Sequence, residues 1–319
     1  MRLAIINDYQ KLAGEAADWK SLPPGIEVDI THDRTPGGDE GARLLAPYDI
    51  IVTAREETRF DRALIEKLPK LKLLVTHGRR NAALDMQALA ERGITVCGTG
   101  YGFSKATVEL AWGLILALAK GIPMEDRGMR EGEWGLGLPS GLTDKTLGVL
   151  GLGDLGGGVA QVGQAIGMNV IAWSQNLTDE RCAEMGVRRV DKDALFRESD
   201  VLSVHVVLSD RTRGLVGARE IALMKPTAFL INTSRGPIVD EAVLVDALKS
   251  GAIAGAGLDV YDKEPLPADH PLRGLPNTVL TPHIGGRTRE NFVARYQNCL
   301  ENVKAWLDGK PVRVLGPQG

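Results

Sequence analysis

The sequence predicts an α/β protein with two doubly wound parallel sheets around a cleft. Short apolar runs, typical of buried strands, alternate with helical segments along most of the chain. A long apolar helix interrupts this alternation, and a glycine-rich turn then opens a second series. The length of 319 residues is enough for about two domains.

Composition and charge exclude several classes of partner. Hydrophobic residues make up 44% of the chain, charged residues make up 25%, and the formal net charge is −3. These values are typical of a globular protein with enough apolar material for two cores. The small negative charge gives no electrostatic reason to expect nucleic acid or an acidic membrane as a partner.

The cysteines and the apolar segments indicate a cytoplasmic protein. Three cysteines lie far apart and without metal-ligand spacing, which predicts inert thiols in a reducing compartment and no metal site: Cys97, Cys182 and Cys299. The apolar run at the N-terminus ends at Asp8, so it is too short for a signal peptide and fits a first strand. The longest apolar stretch, residues 106–119, contains a glutamate and is too short to span a bilayer.

The first hundred residues predict one complete parallel sheet. Its expected strands are Leu3–Ile6, Glu27–Thr31, Ile50–Thr53, Leu71–Thr76 and Thr95–Cys97. Helical segments between them include Arg62–Lys67 and Asp85–Arg92. Gly93 follows the second of these helices, where a C-terminal glycine is expected.

The remainder of the chain predicts a second sheet. A helix over about Lys105–Lys120 comes first, and Gly128–Gly141, rich in glycine, predicts a loop or arm. Six expected strands follow: Thr146–Leu150, Asn169–Trp173, Val201–His205, Ala228–Asn232, Gly255–Val260 and Thr278–Thr281. Six strands with intervening helices suit a doubly wound nucleotide-binding domain. The segment Arg289–Leu307 has apolar residues near helical spacing and predicts an amphipathic helix.

The glycine-rich turn predicts a dinucleotide site. Gly151, Gly153 and Gly156 follow an apolar strand and precede a helical segment. In this pattern the first glycine permits the tight turn, the second lets the backbone approach a pyrophosphate, and the third lets helix pack on strand. Asp154 and Leu155 lie in the same turn and are included among the candidate cofactor-binding residues, although the Asp154 carboxylate is expected to point to solvent.

The end of the next strand leaves the choice between NAD and NADP open. An acidic residue that binds the ribose hydroxyls of NAD is expected there. Instead Trp173 is followed by Ser174, Gln175 and Asn176. No acid repels a 2′-phosphate and no arginine follows directly to grip one, Arg181 being the nearest. Ser174 and Gln175 are candidate contacts to the ribose.

Three polar residues downstream form a candidate catalytic trio. Arg235, Glu264 and His283 each follow a run that predicts a buried strand. Arginine offers a planar fork for a substrate carboxylate and carbonyl, and histidine, whose ordinary pKa is near neutrality, suits proton transfer. Glu264 could hold the imidazole and favour its charged form. Taken singly, each residue has a structural alternative: a surface ion pair, a turn or a buried histidine.

A loop of the first domain is a candidate for substrate binding. Residues His77, Gly78 and Arg79 follow the apolar strand Leu71–Thr76. Backbone amides at this loop could hold a carboxylate, and Arg79 or Arg80 could add positive charge.

These motifs together resemble the D-isomer-specific 2-hydroxyacid dehydrogenase family over nearly the whole chain. The matching stretches are residues 151–156, 232–236, 257–260 with 264–265, and 281–286. The resemblance implies that Arg235 binds substrate, that His283 is the acid/base, and that Glu264 is its partner. It implies that Asp259 contacts the nicotinamide end of the cofactor and that the His77–Gly78 loop holds the substrate carboxylate. Further implied cofactor-binding positions are Thr107, Thr233, Ser234 and Gly285.

The resemblance also implies a domain organisation. A flavodoxin-like substrate domain would comprise residues 1–100 and 287–319, and a Rossmann cofactor domain would comprise residues 101–286. It implies a homodimer joined through the cofactor domain, with Trp134 and Leu138 of the Gly128–Gly141 arm reaching the partner.

The activity expected on these grounds is reversible NAD(P)-dependent reduction of a small 2-oxo acid to a D-2-hydroxy acid. Two departures from the family pattern leave the cofactor and the substrate open: the missing acid after Trp173, and Arg79-Arg80-Asn81 in place of the commoner Gly-x-Asp-Asn. The alternatives are a non-catalytic corepressor-like protein that senses NAD(H), and a relative of formate or phosphite dehydrogenases.

Overall fold

The computed structural model describes residues 1–100 and 105–316. Within these ranges its strands are β1 (Arg2–Ile6), β2 (Glu27–Ile30), β3 (Ile50–Thr53), β4 (Leu73–Thr76), β5 (Thr95–Gly98), β6 (Thr146–Leu150), β7 (Asn169–Trp173), β8 (Arg188–Arg189), β9 (Val201–Val204), β10 (Phe229–Asn232), β11 (Gly255–Leu258) and β12 (Thr278–Leu280). Every strand that the sequence predicts is present, and its ends lie within two residues of the expected ones.

The α-helices of the described residues lie between and after these strands. They are α1 (Ala13–Ala16), α2 (Gly38–Leu45), α3 (Arg62–Glu66), α4 (Met86–Glu91), α5 (Lys105–Lys120), α6 (Ile122–Glu131), α7 (Asp154–Ile166), α8 (Asp179–Glu184), α9 (Lys192–Glu198), α10 (Ala218–Leu223), α11 (Glu241–Ser250) and α12 (Arg289–Leu307). Aspartates cap several of them; Asp61, for example, accepts a hydrogen bond from the Leu64 amide at the start of α3.

The chain divides into two compact units, one within Met1–Phe103 and Thr288–Gly319 and the other within Ser104–Arg287. The substrate and cofactor roles expected for residues 1–100 plus 287–319 and for 101–286 stay a prediction. Residues 101–104 and 317–319 lie outside the described part of the chain.

The first unit has a parallel sheet with the strand order β2-β1-β3-β4-β5. This is the flavodoxin-like doubly wound order. Strands β1, β3, β4 and β5 are almost entirely buried, which explains why they are apolar runs, whereas the edge strand β2 is only partly buried and includes Glu27 and Asp29. Helix α12 packs on one face, where Phe292, Tyr296 and Val303 join the core formed by β1 and β3.

The second unit has a parallel sheet with the strand order β12-β11-β10-β9-β6-β7-β8. Counted from β6, this is the Rossmann order with one strand added at the edge. The two-residue strand β8 was not predicted, because Arg188 and Arg189 are exposed and carry no apolar signal. The carboxyl end of β6 lies at the switch point between β7 and β9, where such sheets bind ligands.

The expected loop at Gly128–Gly141 is partly wrong, because its first residues belong to α6. Gly128 is buried within this helix, and a Cβ atom there would lie 2.5 Å from Leu136 Cδ1. The helix ends at Gly132, whose φ of 86° is left-handed. Residues 133–141 then form the arm, in which Trp134 and Leu138 are 87% and 99% exposed.

Neither a membrane span nor a metal cluster stands out in the described residues. Taken one at a time, no helix there has both the length and the apolar character to cross a bilayer; α5 and α6 pass that test as a pair but are bent by 59°. The same ranges contain no group of three or more His, Cys, Asp or Glu side chains placed to hold a metal ion.

Candidate active site

The glycine-rich turn joins β6 to α7 through positions that admit no side chain. Gly151 has a φ of 102°, and its amide donates to the Trp173 carbonyl across a distance of 2.9 Å. A Cβ atom on Gly151 would lie 3.0 Å from the His205 carbonyl carbon. A Cβ atom on Gly156 would lie 1.9 Å from the Gly151 oxygen. Close contact between helix and strand therefore requires glycine at both positions.

The N-terminus of α7 is open to an anion. Gly153 is its N-cap and supplies no side-chain hydrogen bond, so the first helical amides are not capped in that way. A Cβ atom on the exposed Gly153 would meet nothing within 4 Å. Asp154 is also exposed and Leu155 is half-buried. A helix of this length whose N-cap supplies no side-chain acceptor favours a phosphate group at this end.

The exit of β7 lies beside this turn. Ser174 is half-buried, its carbonyl accepts from the Leu177 amide, and Gln175 is exposed. Arg181, six residues further on in α8, turns back so that its Nε lies 3.4 Å from the Leu152 carbonyl oxygen inside the glycine-rich turn. No local sequence pattern indicates this contact, which places a cation against the turn.

The loop after β10 contains a buried hydroxyl without a partner. Thr233 is 7% exposed, and its Oγ1 has no hydrogen-bond partner among the described residues. The adjacent Ser234 donates its hydroxyl to the Val206 carbonyl at 2.6 Å. An unsatisfied buried hydroxyl is costly, so Thr233 Oγ1 fits a position that a bound molecule completes.

His283 and Glu264 lie together in the second unit. His283 Nδ1 is 2.6 Å from Glu264 Oε2, and the other carboxylate oxygen accepts from the Tyr261 amide at 3.0 Å. Burial alone would raise the pKa of Glu264, but these hydrogen bonds and the positive charges of His283 and Arg235 outweigh it, so that pKa lies below its usual value. Glu264 is therefore held as a carboxylate against the imidazole.

Arg235 lies on a neighbouring loop that packs tightly against the Glu264 loop. A Cβ atom on Gly236 would lie 2.0 Å from the Tyr261 carbonyl carbon, so only glycine permits this approach. The half-buried Arg235 side chain donates from Nη1 to the Ser234 carbonyl at 2.7 Å. Because its charge contributes to the lowered pKa of Glu264, the structure brings all three members of the trio into one region.

Asp259 holds the loop that carries His283. It is 1% exposed, and its Oδ1 accepts from Thr281 Oγ1 at 2.6 Å and from the Ile284 amide at 2.8 Å. Its Oδ2 accepts from the Gly285 amide at 2.8 Å. These bonds pin the loop on both sides of His283, whose φ of 53° is left-handed and unusual for histidine.

Thr107 at the start of α5 reaches the same loop. Its hydroxyl donates to the Gly285 carbonyl at 3.1 Å. A Cβ atom on Gly285 would lie 3.2 Å from Asp259 Oδ2 and 3.3 Å from Thr107 Cγ2. Three of the candidate cofactor-binding residues thus meet directly beside the candidate acid/base.

In the first unit, His77 is buried among the side chains of α12. This residue is 3% exposed, and its ring stacks edge-on against Tyr296 with centroids 5.1 Å apart. Its amide donates to the Thr53 carbonyl, and the Gly78 amide donates to Thr99 Oγ1. Neither amide nor the imidazole is presented outward, because the chain at His77 continues the pairing of β4 with β3. Gly78 is half-buried and Arg79 is exposed, and the substrate-binding role expected for this loop stays a prediction.

The sequence analysis missed Thr281 as a candidate, and it missed the contact that Arg181 makes. Thr281 contacts Asp259, 22 positions away in the chain, and Arg181 contacts Leu152, 29 positions away. Thr281 begins a stretch already singled out for His283, which is a usable signal. Arg181 was named only as the nearest arginine beyond β7, and its polar helix carries no signal of the contact with Leu152.

Comparison with known proteins identifies the family. Residues 112–285 match the family model for the D-isomer specific 2-hydroxyacid dehydrogenase NAD-binding domain. A glyoxylate reductase of Aeropyrum pernix is 38% identical over 282 residues, which cover 83% of this chain and 84% of that protein. A D-3-phosphoglycerate dehydrogenase of Archaeoglobus fulgidus is also 38% identical, over 95% of this chain but only 57% of the relative.

Solved structures agree with this result. The crystal structure of a phosphoglycerate oxidoreductase from Vibrio cholerae superposes with a TM-score of 0.87 and 33% identity, covering 97% of this chain and 99% of the other. Both parallel sheets, the match over the cofactor-binding region and the near full-length relatives lead to one conclusion. This chain belongs to the D-isomer-specific 2-hydroxyacid dehydrogenase family.

Proposed function

We propose that this protein catalyses the reversible NAD(P)-dependent reduction of a small 2-oxo acid to a D-2-hydroxy acid. The observation that carries the proposal is the contact of 2.6 Å between His283 Nδ1 and Glu264 Oε2, in the same unit as the glycine-rich turn. Relatives named as glyoxylate, hydroxypyruvate and phosphoglycerate enzymes make the corresponding 2-oxo acids the first substrates to test.

The second unit offers suitable groups for a dinucleotide. The first amides of α7, which the N-cap residue does not bond through a side chain, would bind the pyrophosphate, and Ser174 and Gln175 would bind the adenosine ribose. The unpartnered Thr233 hydroxyl would complete its hydrogen bonding on the cofactor. When bound, the nicotinamide supplies the hydride.

His283 would move the proton. Its Nδ1 faces Glu264, so the opposite ring nitrogen, Nε2, is the one that would give a proton to the carbonyl oxygen during reduction and take it back during oxidation. Glu264, whose pKa lies below its usual value, would stay ionised and fix the ring orientation.

Arg235 would bind the substrate through its planar fork. The cation stands close enough to Glu264 to lower the pKa of that carboxyl, so it would also lie near the reacting carbonyl. In the first unit, Gly78 and Arg79 would contribute to binding the carboxylate.

We also propose a homodimer joined through the cofactor domain. The arm exposes Trp134 and Leu138 almost completely, although large apolar side chains gain most from burial in a partner. The mass measured by light scattering should be twice that of the chain, and Trp134→Ser combined with Leu138→Ser should shift it toward the monomer. A monomeric wild-type protein would contradict this proposal.

Absorbance of the reduced nicotinamide tests the proposed reaction directly. Wild-type protein and the His283→Ala variant are each mixed with NADH or NADPH and with glyoxylate, hydroxypyruvate, phosphohydroxypyruvate and pyruvate. In separate mixtures, NAD+ or NADP+ is combined with formate or phosphite, whose oxidation would reduce the cofactor. We expect oxidation of the cofactor by at least one acid, lost in the variant. Tight cofactor binding without turnover would instead favour the corepressor-like alternative, and turnover only with formate or phosphite would favour that group of relatives.

A further inference from the structure

The exit of β7 is a place where a dinucleotide site distinguishes NAD from NADP. An acidic side chain there binds the ribose hydroxyls of NAD and repels a 2′-phosphate, whereas a nearby arginine accommodates the phosphate. In this chain Ser174, Gln175 and Asn176 occupy the exit, and all three are uncharged. The Trp173 carbonyl is bonded to the Gly151 amide, so the exit and the glycine-rich turn adjoin each other.

Arg181 brings a positive charge to this junction. Its Nε contacts the Leu152 carbonyl at 3.4 Å, and its Nη2 lies 3.5 Å from the position of a Cβ atom on Gly157, in the first turn of α7. The guanidinium therefore lies between α7 and α8, next to the turn that would bind the pyrophosphate. Thr178 fixes the base of this side chain by accepting from the Arg181 amide at 3.2 Å.

The ion pair of Arg181 with Glu184 is a contact that a phosphate can replace. Its Nη1 pairs with Glu184 Oε2 at 3.2 Å, and the side chain of Glu184 is 65% exposed. An exposed pair of this kind contributes little, whereas a phosphate accepts two hydrogen bonds from one guanidinium. The neighbouring acid Asp179 is paired with Arg189 at 3.2 Å, which offsets its charge.

We propose that the cofactor site accepts NADPH, with Arg181 as the cation that binds the 2′-phosphate of the adenosine ribose. This inference rests on the proposed function, since it requires a nicotinamide dinucleotide in the second unit. It assigns cofactor selection to a residue of α8 outside the glycine-rich turn and the exit of β7.

Binding measurements test this inference without turnover. Dissociation constants for NADPH and NADH are measured by nicotinamide fluorescence with the wild-type protein, Arg181→Gln and Glu184→Gln. We expect wild type to bind NADPH at least as tightly as NADH. Arg181→Gln should weaken NADPH binding about tenfold or more and change NADH binding less than twofold, as for loss of one charge-assisted contact. Glu184→Gln, which removes the competing carboxylate, should tighten NADPH binding only.

Arg188→Gln is the matched control. Arg188 also pairs with a glutamate, Glu198, but it lies on β8, which β7 separates from β6 in the sheet, so its loss should leave both constants unchanged. The same test can be made with cofactor fragments. Arg181→Gln should weaken binding of 2′,5′-ADP but not of 5′-AMP, because the two differ only in the 2′-phosphate.

Two results would overturn the inference. One is NADH binding that is tenfold tighter than NADPH binding in the wild-type protein. The other is an equal loss of both cofactors in Arg181→Gln, which would make the residue structural or a pyrophosphate ligand. Both leave the proposed function standing, whereas a protein that binds neither dinucleotide would contradict the proposed function as well.

Discussion

His77 in the first unit and His283 in the second both follow strands of parallel sheets, yet their surroundings are opposite. His77 is the residue immediately after β4 and is 3% exposed; burial, followed by the charge of Arg295, lowers its pKa to about 3. His283 stands three residues beyond β12 with a side chain that is 43% exposed, and it contacts Glu264. A histidine that follows a strand is thus accessible only where the backbone has stopped pairing with the neighbouring strand, as it has at His283.

The contrast also shows what keeps each residue in place. His77 is surrounded by Phe292 and Tyr296 of α12, so apolar packing sets its position. His283 is positioned by polar contacts, through Glu264 on the ring and Asp259 on the loop. Packing excludes water and disfavours a charged imidazole, whereas a carboxylate partner favours one.

The largest expected effect comes from removing the accessible histidine. His283→Ala should lower kcat/KM by about a thousandfold or more, within the range for loss of a general acid. Binding of the reduced cofactor should change less than twofold. The paired variant His77→Gln should lower kcat/KM less than tenfold, since the His77 ring is buried. Steady-state kinetics with the best 2-oxo acid checks both, and equal losses would remove the distinction between the two histidines.

Arg235→Lys should have the next largest effect. A point charge cannot reproduce the planar fork of arginine, so kcat/KM should fall about a hundredfold. The folded state should be retained, which the melting temperature measures. Near wild-type turnover would place carboxylate binding elsewhere, for example at Arg79.

Glu264→Gln should reduce kcat about tenfold or more, because an amide orients the imidazole without stabilising its charge. In the wild-type protein the lowered pKa of Glu264 keeps the carboxylate ionised, so its bond to His283 is present above the ordinary carboxyl pKa and is lost only as the pH falls through the lowered value. The reductive rate of wild type should therefore persist at pH 5. As the pH is raised, the reductive rate of Glu264→Gln should begin to fall at a lower pH than the reductive rate of wild type. An unchanged pH profile would contradict a role for the Glu264 charge.

Asp259→Asn should produce a smaller loss of kcat. The amide cannot accept all three hydrogen bonds from Thr281, Ile284 and Gly285, so the His283 loop should loosen. We expect kcat to fall about tenfold and the cofactor dissociation constant to rise less than that. A variant that loses cofactor binding while keeping kcat would instead support direct contact of Asp259 with the nicotinamide.

The smallest effect concerns stability in acid. Burial lowers the pKa of His77 to about 3 and that of His205 to about 4. The unfolded chain takes up these protons below about pH 6.5 while the folded protein does not, so stability falls as the pH drops from about 6.5 toward these values. At pH 5 each histidine should cost about 2 kcal/mol relative to pH 7.5. Urea unfolding at both pH values should give a smaller difference for His77→Gln than for wild type; an equal difference would contradict the buried neutral imidazole.

The sequence alone was sufficient for the two parallel sheets and for the turn at Gly151. Buried parallel strands require continuous apolar runs, and the turn requires glycines at fixed spacing, so both leave local signals. The strand β8 and the last turn of α6 left none, because Arg188 and Arg189 are exposed and because a glycine at position 128 is unusual inside a helix. Glycine in that helix is explained by a distant contact, with Leu136.

What the sequence determined by itself was the order of elements and the residue types at their ends: the glycines of the turn, and Arg235, Glu264 and His283 after their strands. Only the tertiary structure decided which of these side chains meet and which are buried. It turned His77 inward, bonded Asp259 to the His283 loop and brought Arg181 to Leu152. Such contacts depend on strand order and on packing between residues far apart in the chain, for which local sequence carries no signal.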